Sequence, residues 1–231
     1  MNEKEEKEDV VKKQTKFIIS SIVLLILFIA IAADVSNNDN GLMLKTDAWL
    51  NTEMLSLQTQ SLNGTIILTT DLLSPTMVII LSIAGALFLF FKGKKRVAIF
   101  IAFSVGGGAL ISYTTKIIFH RMRPENGLIE ASSYSFPSGH AMMSAIFFSL
   151  VIYIFGNYIR NETHRRLFIT ANIGLLLLSG LSRLYLNVHW LSDVVAGYLF
   201  GLSWFMCVLA LKKVSEEEKI VTKISSGKSA S

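Results

Sequence analysis

Six stretches of mostly apolar residues run along the chain, and polar segments separate them. A helix needs about 20 mostly apolar residues to cross a hydrocarbon core of about 30 Å. The pattern therefore predicts an all-α membrane protein with six transmembrane helices. The predicted spans are residues 17–33, 65–91, 97–115, 139–159, 167–182 and 190–211. Within the third span, the consecutive glycines at 106–108 favour close helix packing.

The second span is the least regular of the six, because Asp71 and Pro75 lie near its start. We place its deep part at residues 75–91 and expect residues 65–74 to lie at the membrane interface. Upstream of it, residues 47–60 mix polar and apolar side chains in a way that suits a short amphipathic helix on the outer leaflet. Such a helix could gate the substrate or only pack against the bundle, and packing is the favoured interpretation.

The distribution of Lys and Arg predicts which segments are cytoplasmic, because short cytoplasmic loops carry an excess of these residues. Basic clusters lie before the first span, between spans two and three, between spans four and five, and after the sixth: Lys12, Lys13, Lys16; Lys92, Lys94, Lys95, Arg96; Arg160, Arg165, Arg166; Lys212, Lys213. An even number of spans puts both termini on one side, so cytoplasmic termini make all four clusters cytoplasmic. Segments 34–64, 116–138 and 183–189 then face outward.

This topology predicts a cytoplasmic N-terminal tail at residues 1–16, a six-helix membrane domain at 17–211 and a cytoplasmic C-terminal tail at 212–231. Composition supports an integral membrane protein: 52% of the residues are hydrophobic and 17% are charged, whereas soluble domains carry about 25% charged residues. The Lys- and Glu-rich N-terminal tail is compatible with the plasma (inner) membrane of a bacterium. The low charge and the long apolar runs argue against a soluble globular protein, and they rule out a disordered chain. Cys207 is the only cysteine, so neither an internal disulfide nor a cysteine-based metal cluster can form.

Basic side chains also lie in the outward segments, where the positive-inside rule does not expect them. Lys116 and Arg123 are seven positions apart, about two helical turns, so a helix ending before Pro124 would present both on one face. Two cations at a helix end can hold a phosphate. Such residues are also ordinary membrane anchors, and the pair alone leaves both interpretations open. Between them, His120 and Arg121 are expected to face elsewhere and to have no catalytic role.

The fourth span opens with the sequence Pro137-Ser138-Gly139-His140. Ser138 is a favourable helix N-cap, and the free N–H groups of a first turn attract anions. Gly139 allows an anion to approach closely, and His140 at the same edge could donate a proton. Pro-Ser-Gly is also a common turn, and a lone His is often structural.

A third cluster comprises Ser182, Arg183, His189 and Asp193. On a helix, residues four apart share a face, so His189 and Asp193 could hydrogen-bond. The Asp would then fix the imidazole tautomer and leave the other ring nitrogen free to attack, although a structural polar pair has the same spacing. All three clusters lie at outward ends of spans. Together they supply cations, two histidines and a carboxylate, a set suited to phosphoryl transfer without a metal.

As a set, these clusters resemble the type 2 phosphatidic acid phosphatase family, the membrane relatives of vanadium haloperoxidases. The pattern of that family is Lys-x6-Arg-Pro, then Pro-Ser-Gly-His, then Ser-Arg-x5-His-x3-Asp. The chain fills every fixed position of this pattern between Lys116 and Asp193. The resemblance implies a helical-bundle core of the phosphatase and haloperoxidase type.

The resemblance also implies a role for each motif residue. His189 would be the nucleophile and form a phosphohistidine, Asp193 would orient it, and His140 would protonate the leaving oxygen. The phosphate would be bound by Lys116, Arg123, Ser138, Gly139 and Arg183. No metal or other cofactor is implied, because the cations already neutralise the phosphate.

The implied function is a lipid phosphatase whose active site faces outward. Bacterial members of the family act mostly on phosphatidylglycerophosphate, phosphatidic acid and undecaprenyl diphosphate. The expected partners are therefore a membrane lipid phosphate and the bilayer, and not nucleic acid. A lipid phosphotransferase and a non-enzymatic lipid-phosphate transporter or receptor remain open as alternatives, and the sequence specifies neither the preferred lipid nor the oligomeric state.

Overall fold

The computed structural model describes residues 3–37 and 41–227, and within these ranges every regular element is a helix. The α-helices are α1 (Glu3–Ser36), α2 (Leu42–Leu57), α3 (Gln60–Leu72), α4 (Pro75–Phe91), α5 (Lys95–Phe119), α6 (Gly139–Phe155), α7 (Glu162–Tyr185) and α8 (Leu191–Gly227). A short 3₁₀ turn, Gly156–Tyr158, follows α6. The predicted all-α class is confirmed.

Six helical segments are long and apolar enough to cross a membrane: Glu8–Ser36, Gln60–Phe91, Lys95–Phe119, Gly139–Tyr158, Glu162–Tyr185 and Leu191–Lys212. The six predicted spans are thereby confirmed, and the chain is an integral membrane protein. Helices α1 and α8 run beyond the predicted first and last spans, to Glu3 and to Gly227. The predicted tails thus continue these helices, and their outermost residues, 1–2 and 228–231, lie outside the described part of the chain.

The second span is broken where the sequence indicated. Helix α3 ends at Leu72, and α4 begins at Pro75 after the N-cap Ser74, whose hydroxyl accepts a hydrogen bond from the amide of Met77 at 3.3 Å. Proline suits a first helical position because its missing N–H has no partner to lose there. Helix α4 therefore starts at Pro75, the residue from which the deep part of the span was predicted to begin.

Helices α6 and α8 pack backbone to backbone and form the centre of the bundle. A Cβ atom on Gly197 would lie 2.6 Å from the carbonyl oxygen of Ser138, and one on Gly201 would lie 2.5 Å from that of Met142. Small residues allow this approach in membranes, where van der Waals packing drives helix association. The contact brings the first turns of α6 and α8 together, and the amide of Ser138 donates to the carbonyl oxygen of Asp193 at 2.9 Å.

Helix α1 packs along α8 on the other side of this centre. The hydroxyl of Ser21 donates to the carbonyl oxygen of Ser203 at 2.9 Å, and the hydroxyl of Ser203 donates to the carbonyl oxygen of Ser21 at 2.8 Å. Reciprocal bonds of this kind satisfy both hydroxyls inside the membrane. The ends of α5 and α7 and the starts of α6 and α8 then meet at one end of the bundle, which places the three sequence clusters together.

Candidate active site

A buried histidine and a buried aspartate lie at the start of α8. The Nδ1 atom of His189 is 3.2 Å from Oδ2 of Asp193, and the amide of Trp190 donates to the same oxygen at 3.0 Å. The predicted hydrogen bond is confirmed, although His189 precedes α8 and only Asp193 lies in its first turn. Because a carboxylate only accepts, Nδ1 carries the proton and Nε2 carries the lone pair.

Arg123 contacts Nε2 of His189 from a loop, so the prediction that a helix carries Arg123 is wrong. Helix α5 ends at Phe119 because His120 adopts the left-handed conformation, with φ at 48°. The Nη1 atom of Arg123 donates to the carbonyl oxygen of Val188 at 2.6 Å and lies 3.1 Å from Nε2 of His189. A phosphate bonded to Nε2 would therefore lie against the guanidinium.

Two further cations approach the same histidine. Lys116, in the last turn of α5, donates from Nζ to the carbonyl oxygen of Tyr134 at 2.6 Å. Arg183, near the end of α7, donates from Nη1 to the hydroxyl of Thr70 at 3.0 Å, while its buried Nε has no partner among the described residues. A buried guanidinium with an unused donor is costly unless an anion can accept from it.

Burial and charge together keep His189 neutral. Burial lowers the pKa of His189 well below its ordinary value of 6.5, and the positive charges of Arg123, Lys116 and Arg183 lower it further. Burial also lowers the pKa of Arg123, against the opposing effect of Asp193. A neutral imidazole is the nucleophilic form, and it lies among cations that suit a phosphate. In the described ranges, no group of three His, Cys, Asp or Glu side chains could hold a metal ion.

The start of α6 completes the convergence of the predicted residues. Ser138 is the N-cap, and its hydroxyl accepts from the amide of Ala141 at 3.5 Å, as its position predicted. A Cβ atom on Gly139 would lie 3.8 Å from Cε of Lys116, so the helix start adjoins the lysine. His140 lies within electrostatic range of Arg183 and His189. The structure thus brings all eight sequence-predicted site residues to one end of the bundle.

Two residues at the site were missed by sequence reasoning. Arg121 donates from Nη1 to Oδ1 of Asp193 at 2.6 Å and from Nη2 to Oδ2 of Asp47 at 2.8 Å. The prediction that Arg121 faces elsewhere is wrong. The sequence did contain a signal for Arg121, because the carboxylate of Asp193 lies at the edge of a span. A buried carboxylate needs a positively charged partner, and a neutral histidine does not provide that charge. Nothing in the sequence pairs Asp47, some 70 positions upstream, with this arginine.

Residues 97–216 match the PAP2 superfamily, and this segment contains all eight residues of the predicted site. The chain belongs to the PAP2 superfamily. Over 199 residues this PAP2 protein is 28% identical to phosphatidylglycerophosphatase B of Bacillus subtilis, a match that covers 81% of the chain and 92% of that relative. It is 32% identical over 127 residues to undecaprenyl-diphosphatase of Sulfolobus acidocaldarius, covering 52% of the chain and 56% of the relative.

The crystal structure of a transmembrane PAP2-type phosphatidylglycerolphosphate phosphatase from Bacillus subtilis has the same fold. The two superpose with a TM-score of 0.76 at 24% identity, over 84% of this PAP2 protein and 96% of the other chain. The predicted bundle type is confirmed by this match. The expected enzyme class, a phosphate-ester hydrolase, is confirmed by the superfamily and by its named relatives.

Proposed function

We propose that this PAP2 protein hydrolyses the phosphate of a lipid phosphate or diphosphate at the outer face of the membrane through a phosphohistidine intermediate and without a metal. The observation that carries the proposal is the set of contacts around the imidazole ring of His189. Nδ1 of His189 is hydrogen-bonded to Asp193, and Nε2 faces Arg123, with Lys116 and Arg183 close enough to act on its charge.

In the first half of the reaction, Nε2 of His189 attacks phosphorus. The new N–P bond forms as the bond between phosphorus and the leaving oxygen breaks, and His140 gives that oxygen a proton. The imidazole gains positive character, which the carboxylate of Asp193 stabilises through the Nδ1 proton. The products are the dephosphorylated lipid and phosphohistidine, with His140 left one proton short.

In the second half, water attacks the phosphohistidine. His140 accepts a proton from this water, so it returns to its starting state while the N–P bond breaks and inorganic phosphate leaves. Throughout, Lys116, Arg123 and Arg183 hold the phosphate oxygens, and the amides at the start of α6 beside Ser138 and Gly139 add further donors. Fixed cations of this kind stabilise the charge that develops in both transition states.

An apolar cleft supports a lipid substrate. A space of about 320 Å³ between α4 and α5 is lined by Ile79, Ser82, Ala86, Val105, Gly106 and Ala109, among others. At about 1.5 Å per helical residue, Ala109 and Gly106 lie roughly 10–15 Å along α5 from Lys116. An acyl or prenyl chain in this cleft would descend into the membrane while its phosphate stays at the cations.

The relatives suggest which lipids to test. The Bacillus subtilis relative, named for phosphatidylglycerophosphate, matches most of the chain, and the Sulfolobus relative is named for undecaprenyl diphosphate. Phosphatidylglycerophosphate is therefore the first substrate to test, followed by undecaprenyl diphosphate and phosphatidic acid. The outward orientation rests on the four basic clusters, which the positive-inside rule places in the cytoplasm.

The test is phosphate release by the purified protein in detergent with excess EDTA, using the three lipids side by side. We expect turnover by the native chain that survives EDTA and is abolished in His189→Ala. His164→Ala is the matched control, because His164 is exposed at the start of α7, away from the site. Lipid binding without turnover in the native chain would instead favour a transporter or receptor, and release that requires an added acceptor would favour a phosphotransferase.

A further inference from the structure

The carboxylate of Asp193 is shared between two partners. Its Oδ2 atom accepts from His189, whereas its Oδ1 atom accepts from Nη1 of Arg121 at 2.6 Å. The other end of the same guanidinium, Nη2, donates to Oδ2 of Asp47 at 2.8 Å. The side chains of Arg121, Asp47 and Asp193 are 13%, 2% and 0% exposed, so the contacts form in a largely dry environment.

Ser192 closes these contacts into a ring. Its amide donates to Oδ1 of Asp47 at 2.9 Å, and its hydroxyl donates to Oδ2 of Asp47 at 2.6 Å while accepting from Nη1 of Arg121 at 2.7 Å. Both oxygens of Asp47 are thereby satisfied. Fully satisfied polar networks in low dielectric are rigid, because breaking one bond leaves a buried group unpaired.

We propose that Asp47 and Arg121 are positioning residues for the reaction, which hold the carboxylate of Asp193 in the orientation and charge state that His189 requires. This inference rests on the proposed function. Arg121 fixes one oxygen of Asp193, so the other is directed at Nδ1. Asp47 neutralises Arg121, so the negative charge of Asp193 remains available to stabilise the imidazole as it gains positive character.

Through this network, helix α2, which lies outside the phosphate site, helps to hold Asp193 in place. Asp47 belongs to α2, and the amide of Ser192 with which it bonds lies 145 positions further along the chain. The end of helix α2 has another polar anchor, in which Nε2 of its C-cap residue, Gln58, donates to the carbonyl oxygen of Tyr185 at 2.8 Å. That anchor holds the same helix but makes no contact with the ring, so it separates anchoring of α2 from positioning of Asp193.

The test compares turnover kinetics of Arg121→Gln, Arg121→Lys, Asp47→Asn and the double variant Asp47→Asn/Arg121→Gln with those of the native chain. Gln58→Ala is the matched control. We expect kcat to fall about 10- to 100-fold in Arg121→Gln, as for outer-shell partners of metal-bound histidines, while KM changes less than about threefold. Arg121→Lys should recover part of kcat, because it keeps the charge but cannot bridge two carboxylates in the same way.

The double variant tests whether Asp47 acts through Arg121. In the Arg121→Gln background, adding Asp47→Asn should change kcat by less than about twofold, whereas additive losses would overturn the inference. An unchanged kcat in Arg121→Gln, or an equal loss in Gln58→Ala, would overturn it as well. Where Arg121→Gln does not yield folded protein, Arg121→Lys and Asp47→Asn carry the same comparison.

A second measurement keeps this inference separate from the proposed function. In protein labelled with ¹⁵N-histidine, the Nδ1 proton of His189 is assigned by its absence in His189→Ala, and its signal reports the bond to Asp193. Arg121→Gln should shift or broaden this signal, and Gln58→Ala should leave it in place. Absence of turnover by the native chain would refute the proposed function alone, while a signal unchanged in Arg121→Gln would refute the positioning role.

Discussion

At the scale of single residues, the decisive property of the site is that its buried histidine, the proposed nucleophile, stays neutral among cations. His189 is buried, and burial and three positive charges all lower its pKa. The folded protein therefore keeps the imidazole neutral at a pH where an exposed histidine is protonated. The consequence reaches beyond catalysis, because a group whose pKa differs between the folded and unfolded states makes stability depend on pH.

We predict that the melting temperature falls more steeply between pH 7 and pH 5 in the native chain than in His189→Gln. Below about pH 6.5 the unfolded chain binds a proton at this position and the folded protein does not. Each pH unit below that value then favours unfolding by up to about 1.4 kcal/mol, a penalty that glutamine lacks. Thermal melts in detergent at several pH values check this prediction. The control is His164→Gln, which alters an exposed histidine and is expected to keep the native dependence of melting temperature on pH. Parallel slopes in all three proteins would contradict the prediction.

The sequence identified the eight motif residues but not Arg121 and Asp47, which contact the site. Lys116, Arg123 and His189 could be found because the family pattern gives their order and spacing. Arg121 and Asp47 belong to no such pattern, and their contact joins segments 74 positions apart. It depends on how α2 lies across the bundle, a tertiary arrangement that local spacing does not encode. Their roles, like those of the motif residues, remain predictions.

At the scale of the elements, hydrophobic runs predicted the number and order of the spans because a membrane demands long apolar helices with satisfied backbones. Helix ends were less predictable. Pro75 marks the start of α4 correctly, since proline is favourable there. The helix that ends before Pro124 was predicted to continue too far, since α5 ends at Phe119. His120 adopts the left-handed conformation, which is uncommon for a residue other than glycine and could not be predicted from the sequence.

The three glycines of α5 show how one run can serve two purposes. A Cβ atom on Gly107 would collide with the ring of Trp204, and one on Gly108 with Ile146, so the prediction of close packing is confirmed for these two. A Cβ atom on Gly106 would meet nothing within 4 Å, and this residue instead lines the cleft between α4 and α5. The last two residues of the run therefore allow the helices to pack closely, while its first residue leaves space open.

We predict that Gly106→Leu raises KM for long-chain lipid phosphates several-fold and leaves turnover of a dioctanoyl analogue nearly unchanged. A leucine at this position fills part of the cleft where the lower part of a long chain would lie, whereas a short chain does not reach it. Gly174→Leu is the matched control, because Gly174 lies in α7 outside the cleft and a Cβ atom there also meets nothing within 4 Å. Equal effects on both chain lengths, or equal effects of the two variants, would count against a chain-binding cleft.

At the scale of the whole molecule, the site lies at one end of the bundle and the basic clusters lie at the other. The end of α5 carries Lys116, whereas its start follows the cluster at residues 92–96. A lipid phosphate reaches the cations only from the leaflet at the site's own end, because the charged headgroup does not cross the hydrocarbon core. Orientation therefore determines which pool of lipid the enzyme can use.

We predict that the site end faces outward, and labelling of single cysteines tests this. The variants are made in a Cys207→Ala background, which removes the one native cysteine. Asn126→Cys places a thiol in the exposed loop that precedes α6, and Lys92→Cys places one in the exposed turn after α4. A membrane-impermeant maleimide added to intact spheroplasts should label the first variant and not the second, and opening the membrane should expose both. The converse pattern would put the cations of the site in the cytoplasm, next to inner-leaflet lipids. It would reverse the orientation inferred from the Lys and Arg clusters and would leave the proposed histidine chemistry untouched.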